Sequence, residues 1–308
     1  MTSYVIQIVM HLALLLLMPP LLLGIINRIK ALFAGRRGPP LLQTYFDLLR
    51  LMRKAMVIST ATTWIFQAGP VITLAAVLLA GILVPFSGFG APLQFAGDLV
   101  LFAYLLGVGR FFTTAAALDT GSSFEGMGAA REVTFACLTE PALFLGFLVL
   151  IKLSGSLSLT PMLHAPMRML ALPTLPVSSL VLVAAGLFLV LLAETSRIPV
   201  DDPNTHLELT MIHEAMVLDH SGPLLAVILY GAAVKLFVLS AVLLHLILPF
   251  QTGIAALDWA LFIVAILGLA SLIGIVESVM ARLQIRHVPT LLVGAVLLCG
   301  FGFVLMLR

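Results

Sequence analysis

The residues best suited to proton chemistry lie in one short stretch between two long apolar segments. Residues 194–214 read Glu-Thr-Ser-Arg-Ile-Pro-Val-Asp-Asp-Pro-Asn-Thr-His-Leu-Glu-Leu-Thr-Met-Ile-His-Glu. Carboxylates and histidines take up and release protons, and charged groups beside lipid are energetically expensive. The stretch is therefore predicted to dock on another protein or to take part in ion movement.

A second pair of carboxylates lies inside an apolar segment. Glu132 and Glu140 are eight residues apart, so on a helix they share one stripe, with Glu140 roughly 12 Å deeper. A carboxylate at that depth faces protein or water and is paired or neutral. A structural ion pair would explain it, but we favour a step in a proton path. The apolar segments also contain Arg110, Lys235 and Glu277.

The elements that position these groups are membrane-spanning helices. The chain has 308 residues, 61% hydrophobic and 10% charged, whereas soluble domains average about 25% charged residues. Apolar runs long enough to cross a bilayer predict an all-α polytopic protein with about eight spans and one domain over 1–308. The predicted spans are 4–26, 64–86, 97–118, 133–152, 177–194, 222–250, 256–280 and 287–307.

The distribution of charge predicts the orientation. Most of the 16 basic residues lie in the odd-numbered connections, which the positive-inside rule places in the cytoplasm. Both termini are then outside. Most carboxylates lie on the same side, which the rule does not explain, so we expect a large soluble partner there.

The first of these connections is predicted to hold an amphipathic helix lying in the membrane interface, because apolar residues recur with helical period between Leu41 and Met52. It is either a lipid-surface anchor or part of a docking surface. The residues expected on the docking surface, from all the cytoplasmic loops, are Arg36, Arg37, Gln43, Asp47, Arg131, Arg197, His206 and His213.

Two further signals lie in the polar loops that contain Gly121 and Thr205. Gly121, Gly126 and Gly128 allow tight turns or close approach of a neighbour. Thr205 and Glu208 fit a capping box, which predicts a helix from there to about residue 218. A metal site is not expected, because the histidines lack zinc-binding spacing. Two cysteines inside apolar spans also give no basis for an iron–sulfur cluster in this chain.

Four blocks of the sequence resemble the respiratory complex I subunit 1 family, in its branch of energy-converting [NiFe] hydrogenases and formate hydrogenlyases. They are 36–54, 118–140 with Gly-Ala-Ala-Arg-Glu, 194–222 with Glu-Thr-x-Arg-x-Pro-x-Asp, and 277–282 with Glu-Ser-Val-Met-Ala-Arg.

The resemblance implies a non-catalytic subunit that joins a peripheral electron-transfer arm to antiporter-like, ion-pumping membrane subunits. It places hydrogenase-like large and small subunits on the cytoplasmic side, with iron–sulfur clusters in them and the presence of a NiFe centre left open. It implies the prokaryotic plasma membrane and no nucleic acid. Together with the buried Lys235, the candidates for a proton relay are Glu132, Glu140, Glu194, Asp201, Glu208, Glu214 and Glu277.

Three other functions stay open at this point. A quinone-site subunit of an NADH:quinone oxidoreductase-like complex is one, although Gln43-Thr44 and Val200 depart from the pattern of the quinone-reducing members. An independent ion transporter is another, which the absence of internal repeats disfavours. The last is a membrane anchor with no part in ion movement.

Overall fold

The chain folds into a bundle of long α-helices. The computed structural model describes residues 2–169, 177–201, 211–248 and 252–307. Within these ranges eight helices are long and apolar enough to cross a membrane. The prediction of an all-α, multi-pass membrane protein with eight spans is confirmed.

The long helices are α1 (Thr2–Phe33), α3 (Trp64–Leu83), α4 (Asp98–Asp119), α5 (Ser123–Ser154), α7 (Val177–Glu194), α9 (Gly222–Ile247), α10 (Ala255–Val279) and α11 (Val288–Met306). Shorter helices in the described ranges are α2 (Gln43–Met52), α6 (Leu159–Met169) and α8 (His213–Met216).

The central helix of the bundle is α9, which is buried along most of its length. It packs against α1, α3 and α7, while α4 packs on α3, α10 on α1, and α11 on both α5 and α7. Large side chains fill the space between these helices, among them Phe86, Phe102, Phe147, Phe237 and Phe262. This apolar core holds the helices that carry the charged groups in fixed relative positions.

One end of the bundle gathers most of the polar loops. It contains α2, α8 and the connections between α4 and α5 and between α10 and α11, and we call it the polar end. Its loops are tied to one another: the Leu283 N–H donates to the Pro199 carbonyl at 3.0 Å, and the Val57 N–H donates to Ser221 Oγ at 3.1 Å. Loops that are far apart in sequence therefore form one surface.

Two helices continue well beyond their predicted ends. The helix α1 runs to Phe33, and α5 begins at Ser123, ten residues before the predicted start of its span. Gly128, expected to allow a turn or a close approach, lies within α5, where an added Cβ would stand 3.0 Å from the Ile212 carbonyl oxygen and 2.9 Å from the Ala215 Cβ. Its role is therefore close packing, whereas Gly121 adopts a positive φ of 68° at a turn.

The predicted helix in the first connection is present as α2. None of its residues is buried. Gln43 Nε2 donates to Asp47 Oδ1 at 2.9 Å, so these two polar side chains do point the same way. The hydroxyl of Tyr45 donates to the Leu17 carbonyl of α1, which fastens α2 to the bundle.

The helix predicted from the capping box needs a correction. Thr205, His206 and Glu208 lie outside the described residues, but residues 211–218 are described, and only His213–Met216 among them is helical. Asp201 Oδ2 accepts from the N–H groups of Ile212 and His213 at 3.1 and 3.2 Å. The Asp201 carboxylate therefore accepts hydrogen bonds from the backbone N–H groups at the start of α8, which begins at His213.

The prolines inside α1 yield a first prediction. Pro20 has no N–H, so the Leu16 carbonyl loses its helical partner, and the Tyr230 hydroxyl of α9 donates to it at 2.9 Å. We expect Tyr230→Phe to lower the free energy of unfolding by about 1 kcal/mol, measured by thermal unfolding in detergent. Tyr104→Phe is the control, because Tyr104 is 71% exposed on α4. Equal stability of the two variants would contradict the assignment.

Candidate functional site

Five ionisable residues from four helices meet in the half of the bundle nearest the polar end. Arg110 of α4 forms ion pairs with three glutamates: its Nε lies 3.6 Å from Glu132, its Nη1 contacts Glu140, and its Nη2 lies 2.5 Å from Glu194. Lys235 Nζ of α9 lies 2.8 Å from the second oxygen of Glu194. We call these five residues the carboxylate cluster.

The spacing on α5 explains how one arginine reaches two of these glutamates. Glu132 and Glu140 lie on one stripe of α5, as the sequence predicted, and the Arg110 guanidinium lies between them. Thr139, one residue before Glu140, donates to Glu194 Oε1 at 2.9 Å. The last residue of α7 is thus held by α4, α5 and α9 together.

The carboxylate cluster has more acids than bases. Three glutamates face two cations, Arg110 and Lys235, which gives a formal charge of −1 when all are ionised. Like charges at close range oppose full ionisation of a site. If one of the three carboxyls is neutral, both cations still have an ionised partner.

The members of the cluster differ in exposure. The Glu194 side chain is 5% exposed, whereas that of Glu140 is 47% exposed, although α5 is long and apolar enough to cross a membrane. The cluster thus extends from a buried centre at Glu194 to an open edge at Glu140.

A second cluster surrounds Glu277 of α10, and we call it the Glu277 cluster. The Glu277 side chain is fully buried; Lys30 Nζ of α1 lies 2.8 Å from one of its oxygens and Arg197 Nη1 lies 3.2 Å from the other. Two cations facing one carboxylate give a formal charge of +1. The predicted span 4–26 left Lys30 in the connection that follows it, but the extension of α1 to Phe33 makes Lys30 part of this helix.

A third group surrounds Asp201. Arg282 Nη2 lies 2.8 Å from Asp201 Oδ1, and the other oxygen accepts the two N–H bonds that begin α8. Asp201 therefore joins the loop after α7, the start of α8 and the connection after α10.

The segment 194–201 contributes one residue to each of these three groups: Glu194, Arg197 and Asp201. It is compact, because the Arg197 N–H donates to the Leu192 carbonyl at 2.8 Å and the Asp201 N–H donates to the Arg197 carbonyl at 3.2 Å. Any displacement of this segment changes all three groups at once.

Two cavities flank the segment. One, of about 80 Å³, lies between α3, α4 and α9 and has room for several water molecules. Its polar lining residues include Arg110, Glu132, Glu194, His213, His220 and Lys235. The other, of about 350 Å³, lies on the α1 and α2 side, with Thr44, Asp47, Arg197, Asp201, His213 and Glu214 in its wall. His213 lines both cavities.

The relay residues proposed from sequence are thus largely brought together. Glu132, Glu140, Glu194 and Lys235 form one cluster, Glu277 and Asp201 belong to the neighbouring two groups, and Glu214 lines the larger cavity. Glu208 lies outside the described residues, so its position relative to the clusters stays a prediction.

The residues proposed for docking are divided. Arg36 and Arg37 are exposed at the polar end, and Gln43 and Asp47 pair on α2. Arg131 Nη1 donates to the Met211 carbonyl at 2.8 Å. Arg197 is buried and pairs with Glu277, because a buried carboxylate requires a cation, and its part in docking stays a prediction. His206 lies outside the described residues.

Sequence reasoning missed two buried groups near these cavities. Glu125 is fully buried at the start of α5, and His220, 5% exposed, precedes α9. The available signal concerned His220, which closely precedes the predicted span 222–250, where a titratable residue needs a partner. Glu125 lies eight residues before the predicted span 133–152 and gave no such signal. In the described ranges no group of at least three His, Cys, Asp and Glu side chains has an arrangement suited to a metal ion.

Comparisons with known proteins fix the family. The family model described as NADH dehydrogenase matches residues 6–307. The chain belongs to this family, the complex I subunit 1 family.

Within the family, the similar curated relatives include hydrogenase membrane subunits. Formate hydrogenlyase subunit 4 of Escherichia coli K12 is 29% identical over 92% of this chain and 91% of its own length. Hydrogenase-4 component C of the same organism is 32% identical over 90% of this chain and 89% of its own length. An NADH-quinone oxidoreductase subunit of Thermomicrobium roseum is 30% identical, but over only 57% of this chain and 56% of its own length.

A solved structure shares the fold. A chain of the membrane-bound sulfane sulfur reductase, an archaeal respiratory membrane complex, aligns with a TM-score of 0.83 at 19% identity, covering 99% of each chain. The resemblance to the hydrogenase branch of the family, stated from four sequence blocks, is confirmed by the relatives.

Proposed function

We propose that this chain is the membrane-anchoring and proton-coupling subunit of an energy-converting hydrogenase or formate hydrogenlyase-type complex. The observation that carries the proposal is the segment 194–201, which supplies Glu194, Arg197 and Asp201 to three buried charged groups. A redox partner docked at the polar end acts on this segment and thereby on the protonation of the carboxylate cluster.

Small displacements suffice for this coupling. One unit of change in a carboxyl pKa corresponds to about 1.4 kcal/mol, and ion-pair energies in a poorly solvated site depend steeply on distance. Because Glu194 is bonded to Arg110, Lys235 and Thr139 together, moving its backbone alters several of these contacts. The surplus carboxylate then binds or releases a proton.

The open edge at Glu140 indicates where the proton goes. A half-exposed carboxylate on a membrane-spanning helix is not left in contact with acyl chains. We propose that an antiporter-like membrane subunit covers this edge and receives the proton there. In the same proposal, hydrogenase-like large and small subunits bind the polar end and hold the iron–sulfur clusters, with any NiFe centre in the large subunit.

The orientation is part of the proposal. The polar end contains the loops that are rich in arginine and lysine, and the positive-inside rule places such loops in the cytoplasm. Both termini then lie outside a prokaryotic plasma membrane, and the electron-transfer arm lies on the cytoplasmic side.

One observation favours a second candidate, a quinone-site subunit. The cavity of about 350 Å³ between α1, α2, α9 and the segment 194–201 is within the range of small-molecule sites, roughly 300–1,000 Å³. Quinone reduction by the intact complex that is blocked by a quinone-site inhibitor would select this candidate. Hydrogen evolution without such reduction would select the hydrogenase role.

The proposed function is tested by Glu140→Gln and Glu194→Gln in the intact complex. We expect inverted membrane vesicles to evolve hydrogen from reduced methyl viologen at the wild-type rate, while proton transport per hydrogen falls more than tenfold. Transport is measured with a pH-sensitive dye, and assembly by copurification of the soluble subunits.

The matched control is Cys137→Ser, an exposed uncharged position one turn before Glu140 on α5. It should leave both readouts unchanged. Wild-type proton transport per hydrogen in both glutamine variants would refute the coupling role and leave only the anchor.

A further inference from the structure

A buried histidine at the edge of the smaller cavity has no part in the three charged groups. His220 lies between α8 and α9, and its ring stacks on Phe66 of α3 with a centroid distance of 4.0 Å. It lines the same cavity as Glu132, Glu194 and Lys235. No sequence motif pointed to it, and its place in the cavity follows from the packing of α3 against α9.

The hydrogen bonds of His220 fix its protonation pattern. Its Nε2 lies 3.4 Å from the Phe66 carbonyl oxygen, and a carbonyl only accepts, so Nε2 holds the hydrogen. In the neutral ring Nδ1 is then a bare acceptor, and among the described residues nothing bonds to it. A buried polar atom without a partner calls for an explanation, such as an ordered water or a functional role.

Charged groups lie on several sides of His220. On α3 no residue is ionisable. The loop places Asp219 beside it, and the Asp219 N–H donates at 3.0 Å to Glu125 of α5. Across the cavity stand Arg110, Glu132, Glu194, His213 and Lys235.

Burial lowers the pKa of His220 below its usual value, although the Phe66 carbonyl and the Asp219 charge partly oppose this. The ring is therefore mostly neutral at pH 7. Its occupancy by a proton decreases as the pH rises.

The two residues that follow His220 are held against the first connection. The Ser221 hydroxyl accepts from the Val57 N–H at 3.1 Å and its oxygen lies 3.3 Å from the Val57 carbonyl. Gly222, at φ +55°, packs so closely that an added Cβ would stand 2.8 Å from the Ala55 carbonyl oxygen. The histidine is thus held at the boundary between the polar-end loops and the cavity.

We propose that His220 is a proton-carrying residue that exchanges protons between the polar-end surface and water in the cavity next to Glu132, Glu194 and Lys235. In one passage, Nδ1 accepts a proton from a hydronium ion on the loop side, which leaves water, and Nδ1–H then donates the proton to cavity water, which becomes hydronium. The ring ends neutral, and the net change is one proton moved. This inference rests on the proposed coupling function, which it extends by naming a residue that loads the cluster.

The test uses three variants of the intact complex in the vesicle assay. His220→Gln keeps an N–H donor for the Phe66 carbonyl but does not titrate, and we expect proton transport per hydrogen to fall at least fivefold. His220→Ala should fall as far, and added imidazole should restore at least half of the lost transport, because a small base can occupy the vacated space. His164→Gln, a buried histidine at the far end of the bundle, should remain at the wild-type level.

The outcomes separate this inference from the function on which it rests. Normal transport in His220→Gln together with lost transport in Glu194→Gln overturns the role of His220 alone. Normal transport in both overturns the proposed function as well. Lost transport in His220→Ala that imidazole does not restore, with normal transport in His220→Gln, shows a packing role and also overturns the inference.

Discussion

Replacing Arg110 with methionine should have the largest effect of any single change in this chain. Arg110 is the shared partner of Glu132, Glu140 and Glu194, and its removal leaves Lys235 alone to face three carboxylates. Breaking a buried ion pair by removing one member costs about 3–5 kcal/mol. We expect Arg110→Met to lose stable insertion, measured by the amount of folded subunit in membranes and by thermal unfolding.

Arg110→Lys separates charge from geometry. Lysine keeps the positive charge but lacks the planar set of donors that reaches three carboxylates. We expect it to fold and to assemble, with proton transport per hydrogen reduced more than tenfold. Arg286→Met, at an exposed position, is the control for loss of a cation. Wild-type stability in Arg110→Met would show that the carboxylate cluster does not depend on this guanidinium.

The second large effect is expected at Glu277. Glu277→Gln leaves Lys30 and Arg197 facing each other without a negative charge, in a site where the glutamate was fully buried. We expect the free energy of unfolding to decrease by about 3–5 kcal/mol. By contrast, Lys30→Met alone leaves a balanced pair of Arg197 with Glu277, so its effect should be much smaller.

A double-mutant cycle tests this arrangement of charges. Combining Lys30→Met with Glu277→Gln removes one of the two unpaired cations, so the double variant should be more stable than Glu277→Gln alone. Contacting residues show interaction energies of about 0.5–3 kcal/mol in such cycles. Arg36→Met, exposed at the polar end, should combine additively with Glu277→Gln. Additivity of the Lys30 and Glu277 changes would mean that their contact contributes nothing.

Part of the site could be predicted because it depends on spacing along one helix. Glu132 and Glu140 share a stripe of α5, and a single guanidinium reaches both, as the eight-residue spacing allowed. The sequence also indicated that each charge inside an apolar segment needs a partner, because an unpaired charge is costly there. It did not indicate which partner, since Arg110 and Glu194 are 84 positions apart and Arg197 and Glu277 are 80 apart.

Other features were not predicted, because sequence patterns are local whereas these features depend on contacts between distant parts of the chain. The apolar scan ended the first span at residue 26, but backbone hydrogen bonding carries α1 on to Phe33 and brings Lys30 to Glu277. From the sequence, Gly128 could allow either a tight turn or the close approach of a neighbour. Only the short distances to Ile212 and Ala215 in the structure show that its role is close packing. Asp201 determines where α8 begins from outside the helix, which no capping pattern within the helix can show.

The sequence by itself determined that this chain crosses a membrane eight times, and its motifs identified the family. Both follow from local properties: a run of about 20 apolar residues spans a bilayer wherever it occurs, and a motif is read along the chain. Only the tertiary structure decided which charges meet, which arginine turns inward, and that His220 borders the same cavity as Glu194. Those facts depend on how helices distant in sequence pack around α9, because an ion pair is defined by distance in space and not by position along the chain.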